Sequence, residues 1–485
     1  MTTALIVLPL VGALLVGVLP LPRRVTEELA LLVALAEAVL GGIVLVGFNV
    51  GGGLQYVQNT IWISHFGSAA PIRYDVGIDG LSLFMVLLTA VGIAAAIGAA
   101  MVAGRERPRA YFGLLLLLEA ALVLLFTAQD LVLFYVGWEV MMIPLYLLMG
   151  VWGGEGRRRA TLQFVVYTLV GSLLMLVAIA VLGVTAHTFE LSALVAQPHE
   201  STWLFLAFAL AFCIKAPLFP LHGWLPGAYR ESTPEVTALL SGVISKAGAY
   251  GLLRFAIPLF PSVAHDWRWL FLGLGLAGLL YGAVIAFRQS DARGVVAFSS
   301  LSQMNLIIIG IFVFNTNGVT GAVFQMVNHG VVSLAAFLLI GLIELRAGTD
   351  GFRLLGGLSN RRPVMSTVLL IAALWALAVP GSGVFVSELY ILIGAFQQQA
   401  VLGGVAALGI VLAAMYMLRW YSALAHESDG PRVSDDTPDL RVSELAIAVP
   451  LILILLAMTV YPYGVMRRIT SSQVAFQVAA RVQQL

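Results

Sequence analysis

Two lysines, Lys215 and Lys246, stand against 24 arginines in a chain of 485 residues. Both lie in apolar stretches, AFCIKAPLF and SGVISKAGAY, while the polar loops carry arginine. A guanidinium does not give up its proton in a protein, whereas a buried ammonium can. The only readily proton-exchanging cations therefore sit among hydrocarbon. A biased genome explains why surface lysines are scarce, but not why these two survive, because a mid-span lysine costs about 2.5–3.5 kcal/mol on insertion. Carboxylates divide in the same way. Glu37, Glu119, Glu139 and Glu388 fall inside apolar runs, and Asp79, Asp130 and Glu235 fall near their ends. Glu139 in FYVGWEVMMIPLYLL lies about nine residues into its helix, about 13 Å deep at 1.5 Å per residue. Two histidines complete the set: His222 in KAPLFPLHGWLP and His329 in FQMVNHGVVSLAAF. Each reads either as a satisfied buried side chain or as a proton relay between the charged groups. Glu37 and Glu119 read either as structural partners or as direct participants. The chemistry these types could do together is proton transfer along a buried line centred on Glu139, Lys215, Lys246 and Glu388.

The elements that would hold such a line are membrane helices. The composition is 60% hydrophobic and 11% charged, against about 25% charged in soluble domains. The net charge of +1 and the lack of basic clusters give no reason to expect nucleic acid. A single cysteine, Cys213, excludes a protein-borne disulfide, an iron–sulfur cluster or a cysteine-based zinc site. The apolar N-terminus has no basic n-region and no cleavage site, so it reads as a retained first helix. At about 20 apolar residues per crossing, the expected fold is all-α and polytopic, a single transmembrane domain over 1–485. Its spans are expected at 3–20, 28–48, 80–103, 110–127, 130–150, 162–186, 201–224, 235–260, 268–287, 293–313, 318–345, 364–396, 400–424 and 442–464.

Arginines order these spans. Loops after the odd-numbered spans carry 17 arginines, and the other loops with the C-terminal tail carry 5. The positive-inside rule then puts both termini outside a prokaryotic inner membrane. Residues 49–79 and 426–441 are the longest polar stretches, read as loops, and the second as a mobile one. Pro217 and Pro220 follow Lys215, and Pro380-Gly381 precede Glu388. Proline breaks helices, and a broken helix at membrane depth is tolerated where it lines a hydrated or protein-filled cavity. Two interrupted spans five apart, each beside a charge, suggest inverted five-helix repeats of the transporter kind. These would cover helices 4–8 (110–260) and 9–13 (268–424), flanked by 1–103 and 442–485.

The stretches VGIDGLSL (76–83), DLVLFYVGWEVMMIPLYLLMGVWGG (130–154), IKAPLFPLHGWLP (214–226), SGVISKAGAYGLLRF (241–255) and VPGSGVFVSEL (379–389) resemble the antiporter-like membrane subunits of respiratory complex I over nearly the whole chain. The Asp-Gly-Leu-Ser motif, a length near 500 and an ending soon after VYPYGVM favour the M-type branch, equivalent to the mitochondrial fourth ND subunit. The resemblance implies that Glu139 pairs with Lys215, that Lys246 and His329 continue the line, and that Glu388 is its outlet. It also implies a proton-translocating role in an NADH:quinone oxidoreductase, with L-, N- and K-type membrane chains as neighbours. FMN, iron–sulfur clusters and quinone would belong to partner subunits, and no redox centre or metal is expected in this chain.

Three positions depart from the family pattern. Gln303 stands in SSLSQMN where many relatives have histidine, so a titratable relay is expected to be absent or replaced by water. Gly227 and Tyr229 stand in LPGAYRES where LPDAH is common, which removes two ionisable groups near the mouth of the line. Glu235 is the expected compensation, with Glu119, Asp130 and Gln303 as further accessory positions. Three rival readings remain beside the resemblance. They are a subunit of a multi-subunit Na+/H+ antiporter, a membrane subunit of a hydrogenase- or formate-linked complex, and a non-conducting scaffold. The intact set of four charges speaks against the scaffold.

Overall fold

A computed structural model describes the chain except residues 65–70, 198, 427, 429, 434–435 and 471–485. Among the described residues, 11 helices are long and apolar enough to cross a membrane, and three shorter apolar helices accompany them (Thr2–Val18, Thr202–Lys215 and Pro363–Ala376). Burial separates the helices by position. The window in Pro234–Leu259 and that in Thr316–Ala347 are 100% buried, while that in Arg23–Gly47 is 33% buried. With lipid as the outer solvent, leucine and valine can face outward at no cost. Polar side chains collect on the central helices instead.

Both expected breaks are present, and each is stitched by polar groups that replace the lost helical bonds. The first helix ends at Lys215, and the chain becomes helical again only at Leu225–Glu231. Trp224 donates its indole N–H to the stranded Ile214 carbonyl at 2.8 Å. Asn305, from helix Ala292–Phe312, donates to the Pro217 carbonyl at 3.3 Å and accepts from the Phe219 N–H at 3.2 Å. In the second break, Pro363–Ala376 gives way to Gly383–Gln398 through Gly381, whose φ of +97° suits a residue without Cβ. There the Thr459 hydroxyl accepts from both the Gly383 N–H and the Trp375 indole.

Three features differ from the sequence expectation. Part of 49–79 is an antiparallel hairpin, Gln55–Ile63 with Ile72–Ile78, whose second strand is mostly buried and packs over the ends of neighbouring helices. Span 235–260 is not uniform α-helix, since π-helical segments occupy Leu240–Ile244 and Leu252–Ala256. The described second half of 426–441 is anchored rather than free. Asp439 caps Pro363–Ala376 through the Val364 and Met365 N–H groups, and Arg346 holds the Pro438 and Asp439 carbonyls. Arg481, counted in the tail, lies outside the described residues.

Ion pairs pin the two ends of the bundle. At the arginine-rich end Arg105 meets Glu235, Arg293 meets Glu344 and Arg346 meets Glu444. At the hairpin end Arg254 donates to Asp79 at 2.6 Å and to Tyr250 at 3.1 Å, all three buried. Asp79 also caps helix Gly80–Ala103. It thereby joins the DGLS motif to the helix that carries Lys246.

Candidate functional site: a buried polar line

Lys215 is the last residue of its helix. The break thus leaves a cation at a helix C-terminus, where unpaired carbonyls favour positive charge. Its ammonium is fully buried, 3.1 Å from the Met142 sulfur, and lies over the rings of Phe164 (5.0 Å) and Trp138 (5.4 Å). Trp138 and Met142 bracket Glu139 on helix Leu131–Trp152. Glu139 is only partly buried and sits beside Tyr135, which also faces Ser172. No ion pair of 4.0 Å or less joins it to Lys215, so the direct pairing implied by the resemblance is not made. Aromatic faces and a sulfur surround the ammonium instead, and one Glu139 oxygen has no hydrogen-bond partner.

Lys246 and His329 do touch. Lys246 Nζ lies 2.9 Å from His329 Nδ1, and it also donates to the Ser241 carbonyl and, at 3.4 Å, approaches the Ser245 hydroxyl. The π-helical segment just before Lys246 widens the turn, which lets the side chain fold back onto a carbonyl five residues earlier. On the other ring face, His329 Nε2 lies 3.1 Å from the Ser333 hydroxyl.

Glu388 accepts a bond of 2.9 Å from the Gln303 amide, and its second oxygen has no protein partner. Gln303 in turn accepts from Gln325 at 2.9 Å, and Gln325 accepts from the Ser387 hydroxyl. The glutamine at the departed histidine position is thus the bridge between Glu388 and the helix of His329. A cavity of about 20 Å³, lined by Gln303, Gln325, His329 and Ser333, separates the two clusters. A space of ~10–15 Å³ or more holds one water when polar groups line it. His329 and Gln303, the partner of Glu388, thus border one cavity with room for water.

Other positions are not brought to this line. His222 stacks on Phe219 at 5.5 Å and faces Tyr281 at 5.1 Å. Glu235 is taken up by Arg105 (2.5 and 2.9 Å) and the Tyr111 hydroxyl (2.7 Å). Asp130 accepts from the N–H groups of Val132, Leu133 and Arg73, an N-cap and a tie to the hairpin. Glu119 and Glu37 are buried with no bonded oxygen.

Sequence reading missed Gln325, Ser333, Ser241, Ser245 and Met142. A signal existed for the first two. Gln325, His329 and Ser333 recur every four residues, one face of a helix. For Met142 there was none, since a methionine in an apolar span reads as packing.

Known proteins resemble this chain over most of its length. Residues 128–415 match the family described as NADH:quinone oxidoreductase/Mrp antiporter, TM. NADH-quinone oxidoreductase subunit M of Rickettsia prowazekii is 31% identical over 471 residues, 95% of each chain. A chain of respiratory complex I from Thermus thermophilus superposes with a TM-score of 0.88 at 32% identity, covering 98% of this chain and 100% of that one. A chain of the Mrp complex from Dietzia sp. DQ12-45-1b superposes at 0.85 with 23% identity, over 99% of both chains, and shows a shared fold.

Proposed function

The chain belongs to the NADH:quinone oxidoreductase/Mrp antiporter transmembrane family, and from that premise we propose that it is the M-type proton-translocating membrane subunit of a complex I. The observation that carries this reading is the run of polar groups from Lys246 to His329 and, across a cavity that His329 and Gln303 both line, to Gln303 and Glu388. The L-, N- and K-type chains are its membrane neighbours, and other partner subunits hold the FMN, iron–sulfur clusters and quinone chemistry that drive it. The arginine-rich end faces the cytoplasm and the hairpin end faces outward.

The cycle is electrostatic. With Glu139 ionised, the Lys215 ammonium is stabilised across the gap; when that charge is neutralised or withdrawn, the proton leaves towards Lys246. His329 passes it on from one ring nitrogen while taking another at the second, and Glu388 receives it through the intervening water. Moving one proton against about 150–200 mV costs about 3.5–4.6 kcal/mol at ~2.3 kcal/mol per 100 mV. An opposite charge at ~4–6 Å changes proton affinity by about 1–3 pKa units, or about 1.4–4 kcal/mol, and a change in hydration adds to it. Toggling one charge is thus of the right size.

The test is proton pumping by the assembled complex in sealed vesicles. Glu139→Gln and Lys215→Ala should abolish it, and Lys215→Arg should not restore it because arginine keeps its proton. Full pumping by the arginine variant would overturn the scheme.

A further inference from the structure

At the hairpin end, helices Arg23–Gly47, Gly80–Ala103, Thr316–Ala347 and Val442–Val460 leave an open apolar cleft between them. Its volume of about 480 Å³ falls in the ~300–1,000 Å³ range of ligand-sized sites. Leu87 and Val91 line it from the second of these helices, Val327 and Val331 from the third, and Ile454 from the fourth. Among the described lining residues Arg468 alone is charged. It comes from Pro462–Thr470, the short helix that follows the last span.

Depth relates the two ends of the cleft. Gly80 is the first residue of its helix, and a Cβ on it would run into the Arg468 carbonyl. Arg468 therefore sits level with the start of that span, where a bilayer has its polar headgroups. Val91 lies eleven residues further along the helix. That is about 16 Å at 1.5 Å per residue, and half of a ~30 Å hydrocarbon core is about 15 Å. The cleft thus runs from headgroup level to the middle of the membrane, the reach of one leaflet. Tyr461, 62% exposed, lines the same end, as amphipathic rings do at membrane interfaces. The Arg468 Nη1 group donates to the Gly464 carbonyl at 2.9 Å, which orients the guanidinium. Its planar fork of donors matches phosphate oxygens, and the exposed Arg467 beside it adds a second positive charge.

We propose that this cleft is a phospholipid site, with one acyl chain along Leu87, Val91 and Val331 and the phosphate at Arg468. A partner helix would cross both leaflets, whereas this cleft ends near the midplane and is charged at one end only. The two arginines favour a net negative headgroup, such as phosphatidylglycerol, over zwitterionic phosphatidylcholine. Val327 and Val331 stand two residues to either side of His329. At 3.6 residues per turn, the acyl chain packs on the opposite face of the helix that carries it.

The test uses the native membrane assembly, purified and reconstituted in phosphatidylcholine vesicles with a trace of phosphatidylglycerol bearing a diazirine on its acyl chain. After photolysis, label should concentrate in peptides covering residues 84–91 and 327–331. Excess unlabelled phosphatidylglycerol should compete it away, and the same excess of phosphatidylcholine should not. Arg468→Gln should lower the labelling about fivefold, and Val91→Trp, which fills the inner end, should lower it as well. Unchanged labelling in either variant overturns the site. So does equal competition by the two lipids, which would mark contact with bulk bilayer. Absence of label from both peptides in the wild-type assembly also overturns it, since a protein segment would then cover the cleft. If the variants do not assemble, the competition on the wild-type assembly decides.

Discussion

At the residue scale, the most informative side chain is Gln303. An amide has a donor and an acceptor at fixed positions, and both are used, one on Glu388 and one on Gln325. Gln303→Leu would leave a buried carboxyl and a buried amide unpaired together, at about 1–3 kcal/mol each. The expected outcome is a complex that assembles in reduced yield and pumps poorly. Gln303→His should pump at or near the wild-type rate. A pumping assay on membranes normalised for assembled complex distinguishes the two. The lysines and buried glutamates were legible in the sequence because charge in an apolar run is costly wherever it occurs. The bridging role of Gln303 was not, because an uncharged amide reads as a loss until its two partners on other helices are known. The sulfur and aromatic rings around Lys215 were hidden for the same reason: they look like core.

At the element scale, helix breaks were readable from Pro217, Pro220 and Pro380-Gly381, but what repairs them was not. Asn305 and Thr459 come from helices far along the chain. Nor did any local pattern announce the π-helical turn that aims Lys246. Gly248 explains why the two lysine helices come close. A Cβ there would run into the Phe212 carbonyl and the Ala216 nitrogen, both backbone of the first break. Gly248→Ala should therefore cost about 1–3 kcal/mol and lower assembly, as read by the yield and thermal midpoint of the purified complex. The hairpin offers a pH-dependent counterpart. Asp75 is pushed up to about 6, first by burial and then by Glu190, with Arg73 partly opposing. Because the raised value favours the protonated fold, that stability is fully present below the unfolded value near 4 and is lost as pH rises through about 6. Amide protection in residues 55–63 and 72–78, taken relative to the intrinsic exchange rate at each pH, should be higher at pH 5 than at pH 7.5, and Asp75→Asn should flatten the difference.

At the scale of the whole molecule, the alternation of arginines was the strongest topological signal, since a missed helix would scramble it. The hairpin and the anchoring of 426–441 were not legible, because polar loops disclose their partners only when the helix ends they cap are in place. The orientation is testable with the chain's own composition. Cys213 is its only cysteine and is buried, so introduced cysteines report alone. An impermeant maleimide added to spheroplasts should label Gly52→Cys at the hairpin end and spare Glu155→Cys at the arginine-rich end. Inside-out vesicles should reverse this. The reverse pattern in spheroplasts would invert the assignment.

The small cavity between His329 and Gln303 also bears on selectivity. A space of about 20 Å³ admits a single solvent molecule, and a sodium ion with its hydration shell needs several times that. A bare sodium ion would need a cage of oxygens, and this wall offers imidazole, amide and hydroxyl groups among alkyl side chains. Hydronium needs no such passage, because its charge can cross by bond exchange while the water stays in place. On the function proposed above, charge would cross this space by such exchange rather than by the passage of an ion.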